Sequence, residues 1–287
     1  MHRVRLPLLL PCCLVLVCTV AAHAQDPPQP RSLSWNPAPR DQPDPPSHPY
    51  AARKHGEQRP FVFTYDPSTP LAGETSVELS MQGASGVQAS RPLPSTVAAH
   101  GLVYGLTASY GATRWLAPFV TGLVGQRADG SHDPASTVQA GLRWQLTPPD
   151  ASLRLGAATA YTREFDGAHG VLARMSLSYD IDRIRLAGNA HIEKVFAAGR
   201  DSVDLLAFGG VSVRAYQGLR LGAEYVAQDL EDAFEREEAE GGARHYAGPV
   251  ASLELADGTL WLTGGPAFGI NRQSQPLIGR VSMIASF

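Results

Sequence analysis

The sequence predicts an all-β fold: an antiparallel up-and-down transmembrane β-barrel of about twelve strands, preceded by a disordered, proline-rich N-terminal segment. Three observations predict it. Apolar and polar residues alternate with period two in segment after segment, recurring about every 15 to 20 residues. The connections between these segments are alternately short and long, as in barrels with tight turns at one end and larger loops at the other. Beyond the first residues, no apolar stretch reaches the ~18 residues that a spanning helix requires. A closed barrel is the only other structure that satisfies every backbone N–H and C=O inside hydrocarbon.

The first element is an export signal at residues 1–24. Arg3 and Arg5 precede an apolar run from Leu6 to Val20, and Ala22-His23-Ala24 forms a small-residue cleavage site. The run is too short for an anchor. Cys18 raises a lipoprotein alternative, but Val17 stands before it where a small residue is needed. Cys12, Cys13 and Cys18 are the only cysteines and all lie in the signal, so disulfides, thiol catalysis and cysteine-bound metals are not expected of the mature chain. Residues 25–60 are dense in proline, as in Asp26-Pro27-Pro28-Gln29-Pro30 and Pro43-Asp44-Pro45-Pro46. Such a segment buries too little to offset its ordering entropy and reads as a periplasmic tether, with Trp35 and Tyr50 the only hints of a recognition element. The barrel is assigned to residues 61–287. Within it Phe61 to Tyr65 is strand-like and reads as an additional element on the barrel or in its mouth.

The strands then follow in order. Glu74 to Gln82 places Thr75, Val77, Leu79 and Met81 on one face against Glu74, Ser76, Glu78 and Ser80 on the other. Gly101 to Gly111 alternates Leu102, Tyr104, Leu106, Ala108 and Tyr110 with small and polar residues. The remaining segments are Trp115 to Gln126, Thr137 to Leu146, Ser152 to Glu164, Val171 to Asp180, Arg183 to Val195, Ser202 to Tyr216, Leu219 to Gln228, Arg244 to Leu255, Thr259 to Ile270 and Leu277 to Phe287. Short reversals such as Asp180-Ile181-Asp182, Gln217-Gly218 and Ala256-Asp257-Gly258 alternate with longer connections. This parity puts both termini on the periplasmic side. In the third segment Trp115-Leu116-Ala117-Pro118-Phe119-Val120 is apolar on both faces, so its phase stays open. A soluble sandwich or lipocalin-like barrel also alternates. The segments here are nearer the ~9 to 11 residues of a tilted spanning strand. Aromatics near their ends, including Tyr110, Trp144, Tyr161, Tyr179 and Tyr225, suit interfacial girdles.

The last strand carries a resemblance. Phe287, Ala285, Met283, Val281 and Leu277 share one face, while Ser286, Ser282 and Arg280 share the other. A terminal aromatic on such a strand, in an exported chain, resembles the C-terminal signal of bacterial outer-membrane β-barrel proteins, with Phe287, Ala285 and Met283 as the assembly signal. The run Tyr104-Gly105-Leu106-Thr107-Ala108-Ser109-Tyr110-Gly111-Ala112-Thr113-Arg114-Trp115 is similar to a strand, Gly-x-Thr turn and strand of several proteobacterial barrel families, some of them in aromatic-compound uptake. The chain thus resembles porin-like or transporter-like outer-membrane barrels of Gram-negative bacteria. The resemblance implies the outer membrane as location, with lipid, lipopolysaccharide and the barrel-assembly machinery as partners.

Turning the more apolar faces outward confines a set of charges to the lumen: Glu78, Arg143, Arg154, Arg174, Arg185, His191, Glu193, Asp204, Arg214, Arg220, Glu224, Glu254 and Arg280. An arginine in mid-membrane hydrocarbon costs roughly 2–4 kcal/mol, which favours this phase. Two interpretations compete. One is a narrow pore for a small polar or anionic solute. The other is a closed barrel with a compensated ionic filling and a structural or surface-interaction role. An outer-membrane hydrolase is a remote third: His245 points outward near a loop but has only Ala247 and Pro249 beside it on that face, and Asp129, His132 and Asp133 share a turn-forming loop. The net charge of -3 argues against nucleic acid as a partner. No metal or cofactor motif is present. Asp229, Glu231, Asp232, Glu235, Glu237, Glu238 and Glu240 gather in one solvated loop, a further candidate for cation-bridged contact with lipopolysaccharide.

Overall fold

A computed structural model describes residues 57–85, 101–126, 136–165, 167–196, 203–230 and 243–287. Twelve strands form one closed antiparallel barrel in which each pairs with its sequence neighbours and the last pairs with the first. They are β1 (Thr75–Ser85), β2 (Gly101–Tyr110), β3 (Leu116–Gln126), β4 (Thr137–Gln145), β5 (Leu153–Glu164), β6 (His169–Ile181), β7 (Ile184–Phe196), β8 (Asp204–Tyr216), β9 (Leu219–Gln228), β10 (Arg244–Leu255), β11 (Leu260–Gly269) and β12 (Leu277–Ser286). The seam closes through reciprocal backbone bonds between Thr75 and Phe287, at 3.0 and 2.8 Å. No strand edge is left open, the condition for backbone in contact with lipid.

The short turns use residues that accept a positive φ. Ile181 pairs with Ile184 across Asp182 (φ 49°), and Tyr216 pairs with Leu219 across Gln217 and Gly218 (φ 76°). At Gly218 a Cβ would stand 2.6 Å from the Glu254 carbonyl oxygen, so the turn has no room for one. A register shift between Arg214 and Tyr216 marks a bulge at the end of β8.

The alternation separates two environments. Leu106, Val120, Met175, Ile192 and Phe268 point outward and are 51–54% exposed. Arg154, Arg185, His191, Glu193, Ser178 and Gln228 point inward and are at most 2% exposed. Apolar outside and ionic inside inverts the distribution of a water-soluble protein and matches hydrocarbon as the outer solvent. The phase of β3 is settled as well. Ala117 and Phe119 face inward, where Phe119 packs with Ala160 and Leu172, while Val120 and Val124 face outward.

The lumen is filled at the short-turn end by residues 57–74, which contain no strand. Glu57 lies near the start of β1 and the end of β2, Phe61 to Tyr65 reach the middle of β7, β8 and β9, and Thr69 to Gly73 return to the short-turn ends of β4 and β2. The segment is therefore an inserted loop that rises to mid-height and comes back. Phe61, Val62 and Phe63 bury against Leu206, Phe208, Val226, Tyr246, Val250, Ala267 and Ile278, an apolar cluster inside the barrel on β8 to β12. Burying side chains of this size stabilises by about 1.5–3 kcal/mol each. Beside the loop, a cavity is lined by side chains of β1 to β4, β6 and β12.

Candidate functional site

Three polar clusters hold the inserted loop, and the third also bounds a cavity. The first is at the short-turn end. Arg185 grips Asp180 with two parallel bonds, Nε to Oδ1 at 2.6 Å and Nη2 to Oδ2 at 2.9 Å, and reaches Asp66 at 3.2 Å and the Gln58 side-chain carbonyl at 2.6 Å. Arg154 bridges the same two carboxylates, Asp180 at 2.7 Å and Asp66 at 3.5 Å. Two cations and two anions, all nearly excluded from water, compensate one another and tie the loop to β5, β6 and β7.

The second cluster is at mid-height. The Glu224 carboxylate accepts three consecutive backbone N–H groups, from Val62 at 2.7 Å, Phe63 at 3.0 Å and Thr64 at 2.8 Å. The Asn189 side chain clamps Tyr65, accepting its N–H at 2.6 Å and donating to its carbonyl at 2.9 Å. Irregular backbone is costly inside a barrel unless its polar groups are met, and these two side chains meet them.

In the third cluster Arg143 donates to Glu57 at 2.6 Å, and Ser76 donates to the other Glu57 oxygen. Glu78 Oε1 receives Arg59 at 2.9 Å and Arg280 at 3.4 Å. The Arg59 carbonyl in turn accepts from Ser252 at 3.0 Å and Thr263 at 2.5 Å. Tyr65 lies among these charges with the Arg174 guanidinium 3.8 Å and the Arg59 guanidinium 4.4 Å from its ring centroid. Arg174 makes no ion pair among the described residues, and its contact with the Tyr65 ring is a cation–π one.

Above this cluster, toward the long-loop end, is a cup. Tyr65, Arg143, Arg174 and Arg280 form its floor. Ser80, Gln82, Thr107, Thr121 and Gln139 supply its polar wall, and Val103, Phe119, Leu123 and Leu172 an apolar one. Alternation on β1 to β4 aims every second side chain into the cup, and the register puts Gln82 opposite Arg280 and Thr121 opposite Gln139.

Of the candidates drawn from sequence, the structure gathers Glu78, Arg143, Arg174 and Arg280 at the cup floor. Arg154 and Arg185 stand apart in the lower cluster, and Glu224 caps the loop. His191 is buried between Tyr65 and Phe208, with ring centroids 5.8 and 4.8 Å away, a packing role. Arg220 donates to Ser212 at 3.3 Å. Glu193 is buried opposite Asp204 near the long-loop end, and Arg214 and Glu254 are half-buried near the short-turn end, away from the cup. Ala285, Met283 and Phe287 lie on the outward face of the last strand.

Glu57, Arg59, Tyr65, Asp66 and Asp180 take part in these clusters without having been singled out in the sequence. The one local sign is the spacing Glu57, Arg59, Phe61, Phe63, Tyr65, an alternation that announces an extended segment but not its place. The outward His245 ring bonds the Tyr225 hydroxyl at 2.6 Å. Asp129, His132 and Asp133, the acidic loop from Glu231 to Glu240, the export signal and residues 25–56 lie outside the described residues. Among the described residues no group of three or more His, Cys, Asp or Glu is arranged to hold a metal ion.

No family model matches the chain, and no curated protein matches it. Solved structures do. The NanC porin superposes with a TM-score of 0.50 at 10% identity, over 73% of this chain and 98% of that one. An outer membrane channel from Pseudomonas putida F1 superposes with a TM-score of 0.51 at 11% identity, over 80% of this chain and 100% of that one. The fold is thus one found among outer-membrane porins and channels.

Proposed function

We propose that this protein is a narrow outer-membrane channel for the passive or facilitated passage of a small polar or anionic solute. The solute enters from the long-loop end, taken as the cell exterior, and the inserted loop gates its exit toward the periplasm. The carrying observation is the charge balance among the described residues at the cup floor and in the cluster beneath it, where four guanidinium groups, Arg59, Arg143, Arg174 and Arg280, meet two carboxylates, Glu57 and Glu78. A purely structural filling would be compensated there, as it is in the lower cluster. An excess of positive charge at the base of the cup instead favours anions over cations. The outward apolar face supports a barrel set in lipid. The outward-facing strip Phe287, Ala285 and Met283 is the segment offered to the barrel-assembly machinery, and lipopolysaccharide is the partner of the outer rim.

A closed structural barrel is the second interpretation, favoured by the compensated cluster of Arg154, Arg185, Asp66 and Asp180. Reconstitution of the purified protein in planar bilayers separates the two. The channel produces discrete conductance steps with anion preference, and R174E lowers that preference severalfold. Absence of any conductance step, together with absence of solute flux into proteoliposomes, overturns the channel in favour of the closed barrel.

A further inference from the structure

We infer that the cup floor is a binding site for the carboxylate of a small monocarboxylic acid with an apolar body. The inference rests on the channel interpretation only for the direction from which the acid arrives. Its first support is a one-sided polar inventory. Gln82 Nε2, Arg143 Nε, Arg174 Nε and Arg280 Nε are all buried donors with no hydrogen-bond partner among the described residues, and all four side chains line the same cup. The buried side-chain atoms of that lining left without a partner among the described residues are all donors. A buried donor without a partner costs about 1–3 kcal/mol, so a concentration of them in one cavity marks a place prepared for an acceptor.

The second support is charge. Arg143 is satisfied in part by Glu57, and Arg59 and Arg280 share Glu78, while Arg174 has only the Tyr65 ring among the described residues. An acceptor arriving here gains most by being anionic and planar, since a guanidinium presents its donors as a flat fork that a carboxylate fits. The third support is the apolar wall. Val103, Phe119, Leu123 and Leu172 stand over the arginines on one side, with the Arg143 guanidinium 4.9 Å from the Phe119 ring centroid. Inorganic phosphate has nothing to bury against these side chains, whereas an acid with a compact apolar body covers them while its carboxylate lies on the floor.

Isothermal titration of the full-length protein in detergent tests the site with four probes: cyclohexanecarboxylate, acetate, cyclohexanecarboxamide and inorganic phosphate. The expected order is cyclohexanecarboxylate tightest, with the uncharged amide and phosphate each at least tenfold weaker. R174Q weakens the carboxylate at least tenfold, Q82L weakens it severalfold, and F119A narrows its advantage over acetate. Arg114→Gln, on the exposed turn before β3, leaves the affinity unchanged. Circular dichroism and heat-modifiable gel mobility establish that each variant is folded, and Q82L supplies the decision if R174Q is not. Folded wild-type protein that binds none of the probes, binds phosphate or the amide as tightly, or binds the carboxylate equally well after R174Q or Q82L overturns the site. Solute flux without carboxylate binding removes this inference and leaves the channel. Carboxylate binding without flux does the reverse.

Discussion

At Glu224 one carboxylate takes three consecutive main-chain N–H groups of the inserted loop, a geometry that only an acceptor with two oxygens and several lone pairs provides. Removing it leaves three donors in a site with no water-like substitute. E224L is therefore expected to cost about 1–3 kcal/mol for each donor left unmet, reduced by whatever rearrangement the loop finds. Hydrogen exchange of the Val62, Phe63 and Thr64 amides checks this directly: protection falls in E224L while the mid-strand amides of β1 to β12 stay protected. Retained protection at all three amides would show that the loop is held by its apolar contacts alone. Glu224 also shows where the sequence is opaque. Its inward phase follows from the alternation along β9, but its partners are 160 to 162 residues away, and no periodic pattern connects positions so distant. Tyr65, Asp66 and Arg59 were opaque for the same reason, since their roles exist only once the loop is inside.

The elements themselves were far more legible. Strands β9 and β10 begin and end where the alternation does, and the others differ by at most three residues at an end, because a wall between lipid and an ionic lumen must change polarity at every residue. Legibility failed where that contrast vanished. Along Trp115 to Val120 both faces are apolar, and the phase is decided by a contact, Phe119 against Ala160 and Leu172, that lies on other strands. It also failed for the inserted loop, whose extended, alternating residues look like one more strand. Ion pairs anchor this loop at Glu57 and Asp66, and removing one partner of a buried pair costs about 3–5 kcal/mol because the other charge stays behind uncompensated. In E57Q/D66N the guanidinium groups of Arg143, Arg154 and Arg185 lose their loop carboxylates while the barrel keeps its backbone bonds. The double variant is expected to show larger conductance steps and more flicker than the wild type in planar bilayers. Equal step size and noise in the two proteins would mean that the loop does not limit passage.

For the whole molecule, the decisive property is the contrast between two surfaces of a single closed sheet. An arginine on the outward face must be paid for in hydrocarbon, by about 2–4 kcal/mol at the bilayer midplane and about 0–1 kcal/mol near an interface. Met175 is outward at the middle of β6 and Phe268 is outward near the long-loop end of β11, and both are more than half exposed to the surrounding medium. M175R should therefore destabilise the folded protein in lipid vesicles several times more than F268R, as measured by reversible guanidinium titration. In detergent micelles, whose apolar layer deforms around a charge, the difference should shrink. A water-facing barrel would yield small and similar effects for both substitutions in both media, because an exposed arginine on a soluble surface costs almost nothing. The comparison thus tests the outward phase of the strands and the position of the bilayer around them in one experiment. It does so independently of what crosses the lumen, because neither substitution touches the cup or the inserted loop.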